Sequence, residues 1–481
     1  MPIYHLQAAA LLDASGYRTH PGGMSILVEL TDPIAAESAD PLAGTPPIAL
    51  RGRLRIIASG TTAELAGHPA MVAARAIARP RAVLMPGLIN AHTHLDLTHI
   101  GPQPHDPARG FAAWGDFIRR SRVTDPGGIA QSVARGVALS LRGGTVAVGD
   151  IAGTVGPYPK LDAFEALAAS PLLGVSYAEY FAISPASTAG LAARLGPVMD
   201  RVRAVSGVAG AGVRLGLQPH APYSVSPAGY EFARAALGAG VPVSTHLAET
   251  AEEHEFVAKG TGPLREFLWG LGLWSDELLE TYGHGQTPVE LLCSRGARRW
   301  PGLLAAHIND ASDRDIELLA LAGVAVAYCP RASDYFGAPG VFGPHRYADM
   351  LSAGVRVCLG TDSVVNLPEA DVRARGMSMV DELRLLYQRD GGRLPLADLV
   401  AMASTTPAGV LGLDVAGFTL DAGPIAGILA VEPGHDERLA GEIQTNNILE
   451  SVFSATASPV TTLLALHASE RTYNCGNIAK I

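Results

Sequence analysis

The chain has 481 residues, 48% hydrophobic and 17% charged, enough apolar side chain to fill a large core and too much for global disorder. That length exceeds one ordinary compact domain and suits a large barrel with a smaller partner domain. With 36 basic and 46 acidic residues the formal net charge is −10, and no Lys/Arg-rich block occurs, which argues against a nucleic-acid partner.

Residues 1–80 predict strands at 4–12, 24–30 and 54–57, with a polar, Pro-rich loop at 32–47. The first residues, MPIYHLQAAALLDAS, lack a basic leader region and carry Asp13 directly after the apolar run, unlike a signal peptide. From residue 84 to about 420 a short apolar run followed by a helical stretch recurs. The runs are 82–88, 145–148, 172–178, 213–217, 241–244, 303–306, 324–328 and 355–359, short and continuously apolar as parallel strands covered on both faces should be. Helices are expected at 128–141, 191–205, 228–237, 312–321 and 346–352, ending at Gly143, Gly207, Gly238, Gly323 and Gly354. In the fourth, Ser312 can cap, Asp313 and Asp315 favour the first turn, and Ile316, Leu318, Leu319 and Leu321 supply an apolar face.

Eight such units predict an α/β fold, a (β/α)8 TIM-type barrel. A doubly wound open sheet is the runner-up, weakened because no GxGxxG follows the first strand. From Gly423 onward the chain is again short and strand-like. We therefore expect a small composite β-sandwich domain from both chain ends, 1–84 and 421–481, around a barrel at 85–420, with a loosely held tail from about His467. The longest stretch without Asp, Glu, Lys or Arg, 451–469, contains Pro459 and several Ser/Thr, so no membrane span is expected. Cys293, Cys329, Cys358 and Cys475 form no CxxC pair, as in a reduced, cytoplasmic protein.

The histidines carry the chemistry. His92 and His94 follow the first run in LMPGLINAHTHLDL, and residues i and i+2 of extended chain point to one side. His246 closes VPVSTHLAET, His307 closes GLLAAHIND and Asp362 closes VRVCLGTDS. Singly, each has a plainer explanation: a surface pair, a hydrogen-bonded core histidine, a helix cap. Together they fall at the ends of four strands, which in a barrel converge on the face that holds active sites. Imidazoles and a carboxylate suit one divalent ion, Zn²⁺ first, with Fe²⁺ or Mn²⁺ as alternatives. Such an ion makes water nucleophilic near neutral pH. Glu249, three residues after His246, is placed to carry the proton, and the plainer role of an N-terminal helix carboxylate is compatible with that. Absent motifs narrow the chemistry: no HExxH helix, no PCxxC with HxE, no GxSxG elbow and no Walker A loop.

PGLINAHTHLDLTHIG, GLQPHAPYSVSP, STHLAETAEEHEF, AAHIND, CPRAS and LGTDS, in that order over residues 85–366, resemble the amidohydrolase superfamily. Within it the chain is most similar to the deaminases and chlorohydrolases related to S-adenosylhomocysteine deaminase, aminofutalosine deaminase and the triazine hydrolases. The resemblance implies that His92, His94, His246 and Asp362 bind one metal, that His307 orients the activated water and that Glu249 shuttles protons. Binuclear relatives place a modified lysine where this chain reads Gln218-Pro219-His220, which favours a single ion and turns His220 toward substrate. Trp114 stands where relatives place an aromatic near the pocket, with helix packing as its alternative. Arg331 in CPRAS can meet a polar substrate group or make an inter-loop ion pair. Two departures stand out: Asn366 comes one residue earlier after TDS than in relatives, and GPIAGILAVEPG lacks the usual Asp.

The leading expectation is deamination of an aminated N-heterocycle, an adenosine-like nucleoside such as aminofutalosine, with release of ammonia. A chlorohydrolase or cyclic amidase using the same site is the alternative. A non-catalytic binding barrel is the third reading, disfavoured because every ligand and the proton carrier are present. A small-molecule substrate is the expected partner, and homo-oligomers are common among the resembled enzymes.

Overall fold

The computed structural model describes residues 1–31, 49–51, 53–154, 159–206, 212–293, 299–433, 452–453 and 460–466. The Pro-rich loop at 32–47, Gly207, Cys475 and the tail from His467 lie outside the described residues.

Eight parallel strands form the barrel: β1 Leu88–Thr93, β2 Thr145–Ala152, β3 Leu173–Tyr180, β4 Val213–Pro219, β5 Ser244–Leu247, β6 Leu304–His307, β7 Ala325–Tyr328 and β8 Val357–Leu359. They pair as two four-stranded halves, β1 to β4 and β5 to β8. Parallel bridges close both seams, Leu217 to Val243 and Thr93 to Asp362. The closed ring removes the open-sheet alternative. Nearly every strand residue is buried, because helices cover the outside and side chains fill the inside, which is why these runs show no period-2 alternation.

The helix Pro126–Arg142 shows how the covering layer is specified. Asp125 caps it, Pro126 opens it, and Ile129, Val133 and Val137 are buried at four-residue spacing, one stripe toward the barrel. The predicted helix at 312–321 is Asp313–Ala322, with a reciprocal capping box between Ser312 and Asp315 and left-handed Gly323 at its end. Gly143 caps the helix Pro126–Arg142 as expected. Its φ is −83°, and Gly144 turns instead at 85°.

Strands from both chain ends join in one eight-stranded sheet. Its order is Gly423–Ile425, Arg53–Thr61, Gly16–Thr31, Ile3–Asp13, Ala74–Pro86, Gly427–Val431, Val460–Leu466 and Ala49–Arg51. Alternate residues serve two cores. Leu11, Leu84, Ile428 and Ala430 pack in the sheet's own cluster, whereas Ala10, Leu12, Val83, Met85, Leu429 and Val431 pack in the main cluster with barrel residues.

This two-sidedness corrects one reading. The apolar run at 82–88 was expected to be the first barrel strand, but 82–86 ends the long strand Ala74–Pro86 of the small sheet, and the barrel begins at Leu88. A strand sandwiched between two cores is apolar on both faces, as a barrel strand is, so hydropathy cannot tell them apart. The fifth strand also lies later than the run at 241–244, carrying His246 within it. No helix among the described residues is long and apolar enough to cross a membrane.

Candidate metal centre

The barrel closure delivers the predicted cluster. His92 lies in β1 and His94 just after it, His246 in β5, His307 at the end of β6, and Asp362 beyond β8. Backbone bonds lock the β8–β1 seam, with Asp362 N–H donating to the His92 carbonyl and His94 N–H to the Asp362 carbonyl, both at 3.0 Å. Asp362 Oδ1 consequently lies 3.6 Å from His92 Nε2 and 3.4 Å from His94 Nε2. His94 Nε2 and His246 Nε2 approach to 3.3 Å, and the His92 ring is 5.2 Å from that of His307.

All five side chains are buried, His92 completely. Two nitrogens of His92 and Nδ1 of His94 have no hydrogen-bond partner, an arrangement costing about 1–3 kcal/mol per group unless something binds there. Burial, aided by neighbouring imidazoles, holds His94 and His246 well below the ordinary imidazole range and pushes His307 down to about 3. These rings are therefore neutral and offer lone pairs. His246 Nδ1 donates to the His220 carbonyl at 3.0 Å, which fixes its tautomer and leaves Nε2 free to ligate. Ligand atoms of His92, His94 and Asp362, and of His92, His246 and His307, each lie within 4.8 Å of one another. The donor set fits a divalent cation.

Backbone strain concentrates here. Among the described residues the non-glycine positions with positive φ are Ala248 (52°), His307 (76°), Ile308 (50°) and Asp362 (61°). His307 ends β6 and the other three follow barrel strands at this mouth. Each costs on the order of 1–3 kcal/mol and persists only where surrounding contacts over-determine it. His345 supplies one such contact, donating from Nε2 to the His307 carbonyl at 2.9 Å.

Glu249 Oε1 lies 3.5 Å from His307 Nε2. Burial, reinforced by the charges of Asp362 and Glu253, holds its carboxyl well above the ordinary range. It precedes the helix Ala251–Lys259, whose cap is Thr250 and whose first-turn acids are Glu252 and Glu253. Glu249 thus sits at the helix N-terminus, just before the cap, and the first turn's acids are other residues.

The amidohydrolase family model matches residues 83–463. The chain belongs to the amidohydrolase family. It is 32% identical to an aminodeoxyfutalosine deaminase of Deinococcus radiodurans over 66% of this chain and 73% of that one. It is 26% identical to a 5-methylthioadenosine/S-adenosylhomocysteine deaminase of Dictyoglomus thermophilum, over 79% and 80%. Similar folds include an adenosine deaminase from Xanthomonas campestris with bound zinc, with TM-score 0.65 and 20% identity over 96% of this chain and 93% of that one. Another is the aminofutalosine deaminase of Helicobacter pylori, with TM-score 0.63 and 17% identity over 95% and 97%.

Around the histidines of this amidohydrolase, His220 packs 5.0 Å from the His246 ring, with Nδ1 2.7 Å from Ser224 Oγ. A run of ring contacts leads outward from it: Tyr223 at 5.5 Å, Phe111 at 6.4 Å, Phe336 at 5.5 Å and Trp114 at 5.7 Å. Trp114 thus belongs to an aromatic wall continuous with the cluster. Arg331 does not join it: Nε donates to Glu382 Oε1 at 2.6 Å and a terminal nitrogen to the Ser378 carbonyl at 2.9 Å. This ion pair joins the helices Pro330–Tyr335 and Met379–Asp390 rather than two loops. Gln218 is fully buried with its amide 3.4 Å from His246 Nδ1. The early Asn366 closes a tight turn, its Oδ1 accepting from Ser363 N–H and Oγ–H.

Four charged residues escaped the sequence reading. Arg122 is buried against Asp96 and lies 3.9 Å from Glu179, which is 3.9 Å from His220 Nε2. Asp150 accepts the Leu95 N–H at 3.0 Å beneath His94. Glu179, His220 and His246 also have converging ligand atoms, with the Arg122 guanidinium 3.9 Å from Glu179. Apolar flanks mark Asp150 and Glu179 as strand residues, and no spacing signal reveals what they meet.

Proposed function

We propose that this amidohydrolase deaminates an aminated N-heterocycle, an adenosine-like nucleoside such as aminofutalosine, to the ring carbonyl and ammonia. The observation that carries the reading is the convergence of His92, His94 and His246 with Asp362, His307 and the buried Glu249 carboxyl at one barrel mouth. The names of the sequence relatives support the substrate class.

His92, His94, His246 and Asp362 would hold one divalent ion, and we take it to be zinc. When bound, the ion supplies the Lewis acidity that makes water nucleophilic near neutral pH. Neutral His307 orients that water through Nε2. Glu249, whose burial favours the protonated carboxyl, protonates the ring nitrogen beside the amino-bearing carbon, passes the first proton of the attacking water to the departing amine, and is reloaded by the second as the ring carbonyl forms. His220 faces the substrate ring and Trp114 belongs to the wall that covers it, whereas Arg331 serves Glu382. We also read the eight-stranded sheet as a small sandwich-like domain drawn from both chain ends, with the expected boundary at 84 moved past the strand Ala74–Pro86, beside a barrel that begins at Leu88. Its self-contained apolar cluster supports this. The scattered buried thiols of Cys293, Cys329 and Cys358 fit a cytoplasmic enzyme.

The test is ammonia release from adenosine, methylthioadenosine, aminofutalosine, other aminopurines and pterins. Turnover of an adenine nucleoside is expected. Inertness toward all of them, with hydrolysis of a chlorinated or cyclic amide substrate, would replace deamination by another bond cleavage at the same site. Glu249→Gln should retain metal and lose turnover by about 10²–10⁴-fold, the worth of a positioned proton carrier.

A further inference from the structure

Glu249 stands on a turn that its own residue types disfavour. Ala248 is in the left-handed region at 52°, which a residue bearing Cβ enters at a cost of about 1–2 kcal/mol. Every backbone polar group of Ala248 and Glu249 is nonetheless held from outside. Glu253 Oε1 accepts the Ala248 N–H at 3.0 Å and Oε2 accepts the Glu249 N–H at 2.8 Å. From β6's side, Asn309 Nδ2 donates to the Glu249 carbonyl at 3.1 Å, and Asp310 N–H donates to the Ala248 carbonyl at 3.0 Å.

Helix building does not require this. Thr250 already caps the helix Ala251–Lys259 by accepting the Glu253 N–H, and an acid in the first turn favours the helix dipole without leaving the surface. Glu253 is instead completely buried, where a carboxylate is costly unless hydrogen bonds compensate it. Burial pushes its carboxyl up to about 7, against the two N–H groups that favour the charge. That cost is spent on the two residues that aim Glu249 at His307.

We propose that Glu253 and Asn309 are positioning residues that clamp the Ala248–Glu249 turn from opposite sides and so set the reach of the Glu249 carboxyl. The inference deepens, and rests on, the reading of Glu249 as proton carrier. Glu253→Gln keeps size but exchanges one acceptor for an amide donor facing an N–H, while Asn309→Leu leaves the Glu249 carbonyl unpaired.

The experiment measures steady-state ammonia release per metal-loaded site, with the fastest adenine nucleoside of the panel above, for wild type, Glu249→Gln, Glu253→Gln, Asn309→Leu and the double variant of the last two. We expect kcat in Glu253→Gln and Asn309→Leu to fall by about 10²-fold, as misplacement of a reacting group by an ångström does, with KM and metal content unchanged. The double variant should fall little further, because both singles release the same turn. Should Glu253→Gln fail to fold, Asn309→Leu carries the same test from the other side. Wild-type kcat per loaded site in both variants, with Glu249→Gln inactive, would overturn the clamp alone, as would activity lost only in proportion to metal or folded protein. Turnover retained by Glu249→Gln would overturn the proton-carrier reading beneath it.

Discussion

Asp150 shows what burial does to a single side chain near this site. It accepts the Leu95 N–H and the Ser176 hydroxyl, yet burial, with Asp96 as a like charge, pushes its carboxyl up to about 8. Between the ordinary carboxylate value and about 8 the folded protein therefore keeps a proton that the unfolded chain gives up. The native state binds more protons there, so Asp150's contribution to stability falls as pH rises through that window and levels off above it. Asp150→Asn fixes the neutral form, and its Tm should gain on wild type from about pH 5 to about pH 8. A Tm difference constant across that range would contradict the assignment. At this scale the sequence displayed His92, His94, His246, His307, Asp362 and Glu249 at strand ends. It did not display Glu253, Asn309 or Asp150, because their importance lies in which backbone groups they meet, and that depends on the turn geometry after β5 and the packing between β1 and β2.

Among the elements, the β8–β1 seam matters most, since it brings Asp362 to His92 and His94. Gly360 permits the approach. A Cβ there would lie 2.8 Å from the His92 carbonyl oxygen and 3.0 Å from His92 Cβ and Cys329 Sγ, closer than backbone can tolerate. Gly360→Ala should therefore force β8 away from β1, destabilise the fold by about 1–3 kcal/mol as overpacking does, and lower metal content. Denaturant unfolding and elemental analysis check both, and wild-type values for each would mean that the seam is slack. Six of the eight apolar runs share three or more residues with an observed barrel strand, because burial on both faces writes a continuous apolar signal, while the run at 241–244 meets its strand only at Ser244. In the run at 82–88, residues 82–86 carry the same signal for a different reason, lying between the small sheet's core and the barrel's, and only Gly87 separates them from β1. The left-handed residues His307 and Asp362 left no trace in composition, since neither residue type announces that conformation.

Taken as a whole, the molecule joins a closed barrel to a sheet drawn from both chain ends, with Val83, Met85, Leu429 and Val431 as shared apolar contacts. The sheet's position beside the barrel was legible in outline because strand-like segments flank eight strand–helix units. Its strand order was not, because pairing partners such as Ile428 and Pro86 are hundreds of residues apart. The account turns on a single cation shared by four distant side chains. Anomalous diffraction from crystals of the metal-loaded protein, collected at the absorption edge of zinc, measures this directly. It should show one strong peak per chain, within ligating distance of His92, His94, His246 and Asp362 at roughly 2.0–2.2 Å. A peak elsewhere, two peaks in the barrel mouth, or none in protein that still turns over would contradict the account.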